Sequence, residues 1–260
     1  MTGAMAAERK AAIVTGGGTG VGAATARWLA ARGYGVVVNY SRSREPAETV
    51  AAELGDAIAL QGDVAKDEDC RRLAAAAVER WGRIDAVVNS AGATQFVSMA
   101  DLDGLDAEDF QRVFAVNTIG PYQMIRAAAP HLKRSRGAVV NVSSIGSQTG
   151  HGSSYAYAAS KAALNTLTLA LARNLAPEVR VNAVLPGFVE GRWLREGLGD
   201  AGYEKVKAQW QANAALGRVS MPEEIAGVIG WLIAEAPVVT GQLITADAGM
   251  VLGRPPAVTR

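Results

Sequence analysis

The sequence predicts an α/β protein with a single-domain, doubly wound parallel sheet and helices on both faces. Short runs rich in Val, Ile and Ala alternate with longer alanine-rich helical patterns from Ala11 onward. The apolar runs are continuous rather than alternating, which is typical of strands that are covered on both faces and therefore of a parallel sheet. Because no seam or low-complexity linker divides the 260 residues, we expect one domain over residues 1–260.

The elements alternate along the chain in the order that such a fold requires. Each predicted strand is a short apolar run bounded by turn residues: AAIVTG, GVVVNY, AIALQG, DAVVNSAG, GAVVNVSS, VRVNAVLPG and GQLITADAG. Each predicted helix repeats apolar residues at helical spacing: GVGAATARWLAARG, EPAETVAAELG, DEDCRRLAAAAVERWG, DAEDFQRVFAVNTIGPYQMIRAAAPHLKRS and YAYAASKAALNTLTLALARNLAPE. Residues 187–215 break the rhythm with glycines, charges and two tryptophans. We favour a helical insertion that covers a cleft over an ordinary surface excursion.

Composition narrows the class of partner. The chain has 26 basic and 25 acidic residues and a net charge of +1, so we expect no nucleic-acid or membrane partner. No apolar run approaches the length needed to cross a bilayer. The apolar stretch at the N-terminus, in MTGAMAAERK, is too short for a signal peptide. The one cysteine, Cys70, is interpreted as a packed small hydrophobe, and a lone thiol fits a reducing cytoplasm. We therefore expect a cytoplasmic protein that acts on a small molecule.

A metal site is not expected. The two histidines, His131 and His151, lack ligand spacing, and no cluster of cysteines or acids accompanies them.

Five glycines lie where the first strand turns into the first helix. Such a turn lets backbone N–H groups and a helix N-terminus approach a pyrophosphate without obstruction by Cβ atoms. Glycine richness alone also occurs in ordinary tight turns, but the position between a first strand and a first helix favours a dinucleotide site. The residues expected to bind the dinucleotide here are Gly16, Gly18, Thr19, Gly20, Val21 and Gly22.

The end of the second strand selects between dinucleotides. An acid about 20 residues after the glycine turn would bond the adenosine ribose 2′-OH of NAD. Here the sequence has no acid before Glu45 and supplies Tyr40, Ser41 and Arg42 instead. A guanidinium with adjacent hydroxyls would hold a 2′-phosphate. We expect NADP(H) as the preferred cofactor, and NAD(H) stays open because the arginines here could also be solvated loop charges.

Tyr157 and Lys161 lie four residues apart in a run of small residues, so on a helix they share a face, whereas Tyr155 points elsewhere. Reduction of a carbonyl needs a proton donor at the oxygen, and oxidation of an alcohol needs the same group as a base. A free tyrosine has a pKa of about 10, and a nearby ammonium favours the phenolate. We therefore predict that Lys161 lowers the pKa of Tyr157 and that Tyr157 is the acid/base.

Seven motifs in this order resemble those of the short-chain dehydrogenase/reductases, nearest to bacterial members that resemble 3-oxoacyl-carrier-protein reductases. The resemblance spans Ala11 to about Leu252 and implies a Rossmann fold, an NAD(P)-dependent oxidoreductase that interconverts a ketone and a secondary alcohol, and a homotetramer, with a dimer as the fallback. The motifs are TGGGTGVG (15–22), DV (63–64), NSAG (89–92), Asn117 in VNTIG, NVSS (141–144), Tyr157 with Lys161, and PG (186–187).

The resemblance also implies roles for individual residues. Ser144 would hydrogen-bond the substrate oxygen, and its rival Ser143 should face the other side of the strand. Lys161 would bond the nicotinamide ribose, and Asn117 would distort its helix and hold a water that leads to the lysine. Further cofactor contacts would come from Asp63 and Val64 at the adenine, Asn89, Ala91 and Gly92 at the ribose side, and Pro186, Gly187 and Val189 at the nicotinamide.

Two positions depart from the family pattern. Gly191 stands where many members have Thr, so a hydroxyl contact to the cofactor is missing, and Ala248 stands where Gly is commoner. Substrate specificity is expected from residues 92–100, 145–154 and 187–215, which supply Phe96, Met99, Trp193 and Trp210 with Gln95 and Gln148 as polar anchors.

Two other functions fit parts of the sequence. A dinucleotide-binding regulatory protein without turnover is disfavoured because both Tyr157 and Lys161 are present. A doubly wound methyltransferase would leave the spacing of Ser144, Tyr157 and Lys161 unexplained.

Overall fold

The computed structural model describes residues 9–254, and its core is one seven-stranded parallel sheet in the order β3-β2-β1-β4-β5-β6-β7. The predicted fold class is therefore confirmed. Each strand lies within one of the seven predicted runs: β1 (Ala11–Thr15), β2 (Gly35–Tyr40), β3 (Ala57–Gln61), β4 (Ala86–Asn89), β5 (Ala138–Val142), β6 (Arg180–Pro186) and β7 (Leu243–Ala246).

Helices cover both faces of the sheet. They are α1 (Gly20–Ala30), α2 (Arg44–Leu54), α3 (Asp67–Trp81), α4 (Ala107–Phe114), α5 (Gly120–Ser135), α6 (Gly146–Thr149), α7 (Tyr155–Leu175), α8 (Arg192–Asn213) and α9 (Pro222–Ala234). The single helical pattern predicted for 106–135 is divided, because a π-helical turn, Ala115–Ile119, separates α4 from α5. Helices α6 and α9 were not predicted from the sequence.

Successive residues of each central strand enter two different cores. Ala12 and Val14 pack with α1, α2 and α9, whereas Ile13 packs with α3 and α5 on the opposite face. Both faces are therefore dry, which explains why the strands are continuous apolar runs rather than alternating ones. About 25 cal/mol per Å² of buried apolar surface makes this double layer the main source of stability.

The strand order reverses between β1 and β4, and all seven strands end at the same edge of the sheet. In such sheets the crevice at the reversal is the place where ligands bind. The Thr15 hydroxyl closes β1 there by accepting hydrogen bonds from the backbone N–H groups of Ser90 and Ala91, each at 3.1 Å. The loop after β4 is thereby fixed beside the glycine turn after β1.

The insertion carries α8, which consists of two helical parts joined at Gly199, where φ is 68° and ψ is 164°. Its second part packs Tyr203 and Trp210 on Phe188, with ring centroids 5.3 Å and 6.0 Å from that of Phe188. Trp210 therefore belongs largely to the support of the insertion, whereas the sequence analysis placed it in the substrate cleft.

Cys70 is fully buried in α3, and burial raises the pKa of its thiol to about 12. The interpretation of Cys70 as a packed hydrophobe is confirmed. None of the helices between residues 9 and 254 has the length and apolar character needed to cross a membrane.

Ala248 adopts φ 56°, in the left-handed region, so its methyl group is strained. We predict that Ala248→Gly raises the free energy of unfolding by about 0.5–1 kcal/mol, because relief of the strain exceeds the entropy that glycine loses on folding. Urea denaturation measures the change. The control is Ala75→Gly at an exposed position of α3, which should destabilise the protein by a similar amount; loss of stability in both variants would contradict the prediction.

Candidate active site

Tyr157 and Lys161 project from one face of α7 into the crevice, as the spacing predicts. The helix begins after Ser154, whose hydroxyl accepts a hydrogen bond from the Tyr157 backbone N–H at 3.2 Å. Both side chains are buried, with 8% and 4% of their surface exposed, and the Lys161 amine lies 5.7 Å from the centroid of the Tyr157 ring. The small residues Ala156 and Ser160 are fully buried, which lets α7 lie close to its neighbours.

Burial, rather than mutual attraction, dominates the titration of this pair. It lowers the pKa of Lys161 to about 8 and raises the pKa of Tyr157 to about 12. The Lys161 ammonium donates its hydrogen bond to the backbone carbonyl of Val142 at 2.8 Å. The prediction that Lys161 lowers the pKa of Tyr157 is therefore wrong for the protein by itself, because loss of hydration outweighs the effect of a cation that is held by another group.

Ser144 lies immediately after β5 and hydrogen-bonds to the side chain of Tyr157, which opposes part of the rise in the tyrosine pKa. Its hydroxyl also accepts a hydrogen bond from the Gly146 backbone N–H at 3.1 Å. Ser143 instead bonds to the Asn165 side chain at 2.7 Å and is buried. The structure thus brings Ser144, and not Ser143, to Tyr157, as strand alternation predicts.

Asn117 lies in the π-helical turn, so the helix is distorted at this residue as the resemblance implies. Its amide oxygen accepts from the Ala93 backbone N–H at 2.8 Å, and its nitrogen donates to the Ala93 carbonyl at 2.9 Å and to the Ser160 hydroxyl at 3.0 Å. Asn117 is fully buried. It therefore fastens the loop after β4 to the turn of α7 that carries Lys161, and its predicted water-holding role stays a prediction.

The glycine turn has the shape that a phosphate group requires. A Cβ atom on Gly22 would lie 2.2 Å from the Gly16 carbonyl oxygen, whereas one on Gly20, at φ 50°, would meet no atom within 4 Å. The backbone of the turn is therefore tightly packed at Gly22, where no side chain fits, and leaves open space beside Gly20. Thr19 gives α1 no side-chain cap, and the first turn of α1 contains no acid, so the free N–H groups of the helix start can bind an anion. These residues fit a dinucleotide pyrophosphate.

Asn39, a residue that the sequence did not single out, holds this turn in place. Its side chain is buried; it accepts a hydrogen bond from the Gly16 N–H at 3.4 Å and donates one to the Gly62 carbonyl at 3.0 Å. It thereby links the ends of β1 and β3. After it, Tyr40 is buried, whereas Ser41 and Arg42 are exposed at the crevice edge.

The remaining predicted cofactor residues all follow the carboxyl ends of strands. Asp63 and Val64 follow β3, where the Asp63 carboxylate accepts from the Ala65 N–H at 3.0 Å. Asn89 ends β4, but its amide nitrogen donates a hydrogen bond to Asn141 at 2.9 Å within the sheet, so its side chain is partly occupied.

Two further predicted cofactor residues lie in a loop. Ala91 and Gly92 belong to the loop after β4, which the side chains of Thr15 and Asn117 hold in place. Their contacts with a cofactor stay predictions, as do those of Pro186, Gly187 and Val189 after β6.

Aromatic side chains close the crevice above Tyr157. Trp193, at the start of α8, has its ring centroid 5.8 Å from that of Tyr157 and 6.3 Å from that of Phe96. Tyr155 lies off the face of α7 that carries Tyr157 and Lys161, and its hydroxyl donates to the Met99 carbonyl at 2.6 Å. The Gln95 side chain accepts from Arg112 at 3.1 Å rather than standing free as a polar anchor.

A metal ion has no evident site in this part of the molecule. Among residues 9–254, no three His, Cys, Asp or Glu side chains are grouped so that they could hold one.

Comparison with known proteins gives consistent results. The model of the family described as enoyl-(acyl carrier protein) reductase matches residues 16–251. The chain is 40% identical over 245 residues to a Streptomyces violaceoruber protein named for ketoacyl reductase 2 of the granaticin polyketide synthase, with coverage of 94% and 97% of the two chains. It is 35% identical over 250 residues to the 3-oxoacyl-[acyl-carrier-protein] reductase of a Synechocystis species, with coverage of 93% and 96%.

Solved structures agree. A Burkholderia xenovorans structure described as a short-chain dehydrogenase/reductase has 43% sequence identity and a TM-score of 0.87, with coverage of 95% of this chain and 100% of that one.

The lowered pKa of Lys161 predicts a pH dependence of stability. Between pH 8 and about 10.5 the unfolded chain retains the lysine proton that the folded chain has released. Stability should therefore rise with pH in this window, by up to about 1.4 kcal/mol per pH unit from this group. Urea denaturation at pH 7.5, 8.5 and 9.5 should show that Lys161→Met loses this rise, whereas Lys205→Met at an exposed position keeps it. Parallel curves for wild type and Lys161→Met would contradict the assignment.

Proposed function

The chain belongs to the short-chain dehydrogenase/reductase family of oxidoreductases, and from this we propose that it interconverts a ketone and a secondary alcohol with NADP(H) as preferred cofactor. The observation that carries the proposal is the group formed by the buried Tyr157 and Lys161 with the half-buried Ser144, at the carboxyl edge of the sheet and beside the glycine turn. When bound, the cofactor supplies the hydride or accepts it. Every proton step is assigned to the chain's own residues.

Tyr157 is the acid/base of this proposal. Because burial raises its pKa to about 12, its hydroxyl keeps the proton at neutral pH and is suited to donate it to a carbonyl oxygen. Ser144, already hydrogen-bonded to Tyr157, would donate to the same oxygen and orient it. The protonated phenol is ready for the reductive half of the reaction, in which a proton is donated. Oxidation would need further positive charge near the phenol, which an oxidised nicotinamide carries.

Lys161 would restore the proton balance. Its pKa of about 8 lies near neutrality, so it can pass a proton toward Tyr157 and regain one from solvent. In the resemblance it also bonds the nicotinamide ribose, and its position one turn along α7 from Tyr157 is compatible with both roles. Asn117, through Ser160, would hold this turn in register.

The substrate is proposed to be a small molecule with an apolar part. Phe96 and Trp193 offer ring surfaces next to the Tyr157 ring, and apolar clefts with few polar groups suit such ligands. Relatives named as 3-oxoacyl-[acyl-carrier-protein] reductases make 3-oxoacyl thioesters the first substrates to assay. The family description also makes an enoyl thioester a useful comparison.

Assembly and location complete the proposal. The location is proposed to be the cytoplasm, on the composition of the chain alone. A homotetramer is supported by exposed aromatic and aliphatic side chains on α4, α5 and α7, namely Phe110, Tyr122 and Leu169. A regulatory protein that binds the dinucleotide without turnover is the alternative from the sequence, and no feature of the site favours it.

The first test removes one hydroxyl. We predict that Tyr157→Phe lowers kcat for NADPH-dependent ketone reduction at least about a hundredfold, because the proton donor is lost. Cofactor absorbance at steady state measures the rate, and calorimetric titration should show that NADPH still binds. Tyr155→Phe is the matched control and should retain turnover, since that hydroxyl bonds to Met99. An active Tyr157→Phe would refute the mechanism, and a wild type that binds NADPH without reducing any ketone would favour the regulatory alternative.

The second test concerns cofactor preference. Arg42 is exposed at the crevice edge after β2, and a carboxylate there would repel a 2′-phosphate. Arg42→Asp should raise the KM for NADPH about tenfold or more and leave the KM for NADH unchanged or lower. Steady-state kinetics with both cofactors measure this, and an unchanged ratio would rule out Arg42 as a phosphate ligand.

A further inference from the structure

The first part of α8, residues 192–198, is bounded by two glycines in conformations that other residues rarely adopt. Gly191 has φ 155° and ψ 174°, and Gly199 has φ 68° and ψ 164°. Both lie in the region that is essentially restricted to glycine. We call residues 192–198 the lid. Because its two ends are the points where the backbone changes direction, the lid is a separate short helix laid over the crevice.

The lid reaches from one side of the crevice to the other. It follows β6, yet the Arg192 guanidinium lies 3.4 Å from the hydroxyl of Ser43, which is 149 residues away in sequence and belongs to the loop after β2. In the sheet, β1, β4 and β5 separate these two strands, a distance of roughly 19 Å at about 4.8 Å per strand. Arg192 therefore lies across the carboxyl ends of the strands that flank the glycine turn.

The position of Ser43 indicates which part of a dinucleotide would lie there. In this type of fold, residues at the end of the second strand bind the 2′-hydroxyl or 2′-phosphate of the adenosine ribose. Arg44, the first residue of α2, is turned toward Glu48, with 4.0 Å between the charged groups. The Arg192 guanidinium comes from the other side of the crevice, with its Nε 3.3 Å from Glu196 and its terminal nitrogen 3.4 Å from the Ser43 hydroxyl. A guanidinium next to a hydroxyl is a strong ligand set for a phosphate.

We propose that Arg192 is a specificity-determining residue of the lid that binds, together with Ser43, the 2′-phosphate of NADP(H). The inference rests on the proposed function. The threonine expected at position 191 is replaced by a glycine, and the conformation of this glycine directs the next side chain, that of Arg192, across the crevice toward Ser43.

The lid also connects the two ends of the crevice. Trp193, the residue after Arg192, contacts the rings of Tyr157 and Phe96. On the same helix Gly197 lies against Phe96, where a Cβ atom would be 2.0 Å from the ring. A phosphate held by Arg192 therefore holds Trp193 over the acid/base, so NADP(H) would complete the substrate pocket better than NAD(H).

The test uses nucleotides without nicotinamide, so that binding is measured without turnover. Adenosine 2′,5′-bisphosphate carries the 2′-phosphate, and adenosine 5′-phosphate lacks it. Calorimetric titration of the full chain should show that Arg192→Ala weakens binding of the bisphosphate about tenfold, the loss expected for a half-exposed charged hydrogen bond, and leaves binding of the 5′-phosphate unchanged. Arg192→Lys should recover part of the loss.

Arg195→Ala is the matched control, because Arg195 lies on the same lid and is bonded to Asp200 and Glu204 rather than to the crevice; it should bind both nucleotides like the wild type. Equal weakening of both nucleotides by Arg192→Ala would overturn the assignment in favour of the pyrophosphate, and no weakening of either would overturn it outright. A wild type that binds NADPH while the Arg192 variants bind it equally well refutes this inference alone, whereas a wild type that binds no adenine nucleotide refutes the proposed function as well.

Discussion

Loss of hydration at Tyr157 and Lys161 is the constraint on which the chemistry of the site depends. The two groups lie on one face of α7, and burial pushes both toward their neutral forms, the phenol by raising its pKa and the amine by lowering it. Neither group is therefore stabilised as an ion by the protein alone. Negative charge that develops on a carbonyl oxygen beside them would find a proton donor, the Ser144 hydroxyl and an amine close to its titration point. A dry site of this kind responds strongly to charge because little water screens it.

Such a site needs a rigid polar framework, and several elements provide it. The Val142 carbonyl at the end of β5 holds the amine, Ser154 caps the helix that carries both groups, and Asn117 joins that helix to the loop after β4. Within residues 9–254 every buried side-chain nitrogen or oxygen has a hydrogen-bond partner. Satisfied networks of this kind fix geometry, since any displacement would leave a buried polar group unpaired. The π-helical turn contributes to this framework, because it places the Asn117 amide where it bonds both to the loop after β4 and to α7.

Much of this could be predicted from the sequence. The strands were identifiable because residues such as Ala12 and Ile13, which face opposite cores, are both apolar, and Tyr157 with Lys161 because helical spacing fixes their common face. The sign of the shift in the Tyr157 pKa could not be predicted. The spacing of two residues shows that they are close to each other, but it does not show how far burial removes water from them. Helix α9 was missed because PEEIAGVIGWLIA packs against α1 and the sheet and is apolar almost all round, which removes the periodic signal. Asn39 was missed because its function is to bond backbone atoms of β1 and β3, and no local pattern records such a contact.

Gly191 shows that the effect of a single departure from a family pattern can be judged only with the backbone conformation at that residue. Judged by composition alone, glycine in place of threonine deletes a hydroxyl. At φ 155° and ψ 174° a β-branched residue would be strained, so restoring threonine here would also require another path for the chain. That path leads to Arg192, whose guanidinium lies 3.4 Å from the hydroxyl of Ser43 in the loop after β2. The missing hydroxyl and the arginine that follows it should therefore be interpreted together, because the glycine backbone at position 191 sets the path from which the Arg192 side chain reaches Ser43.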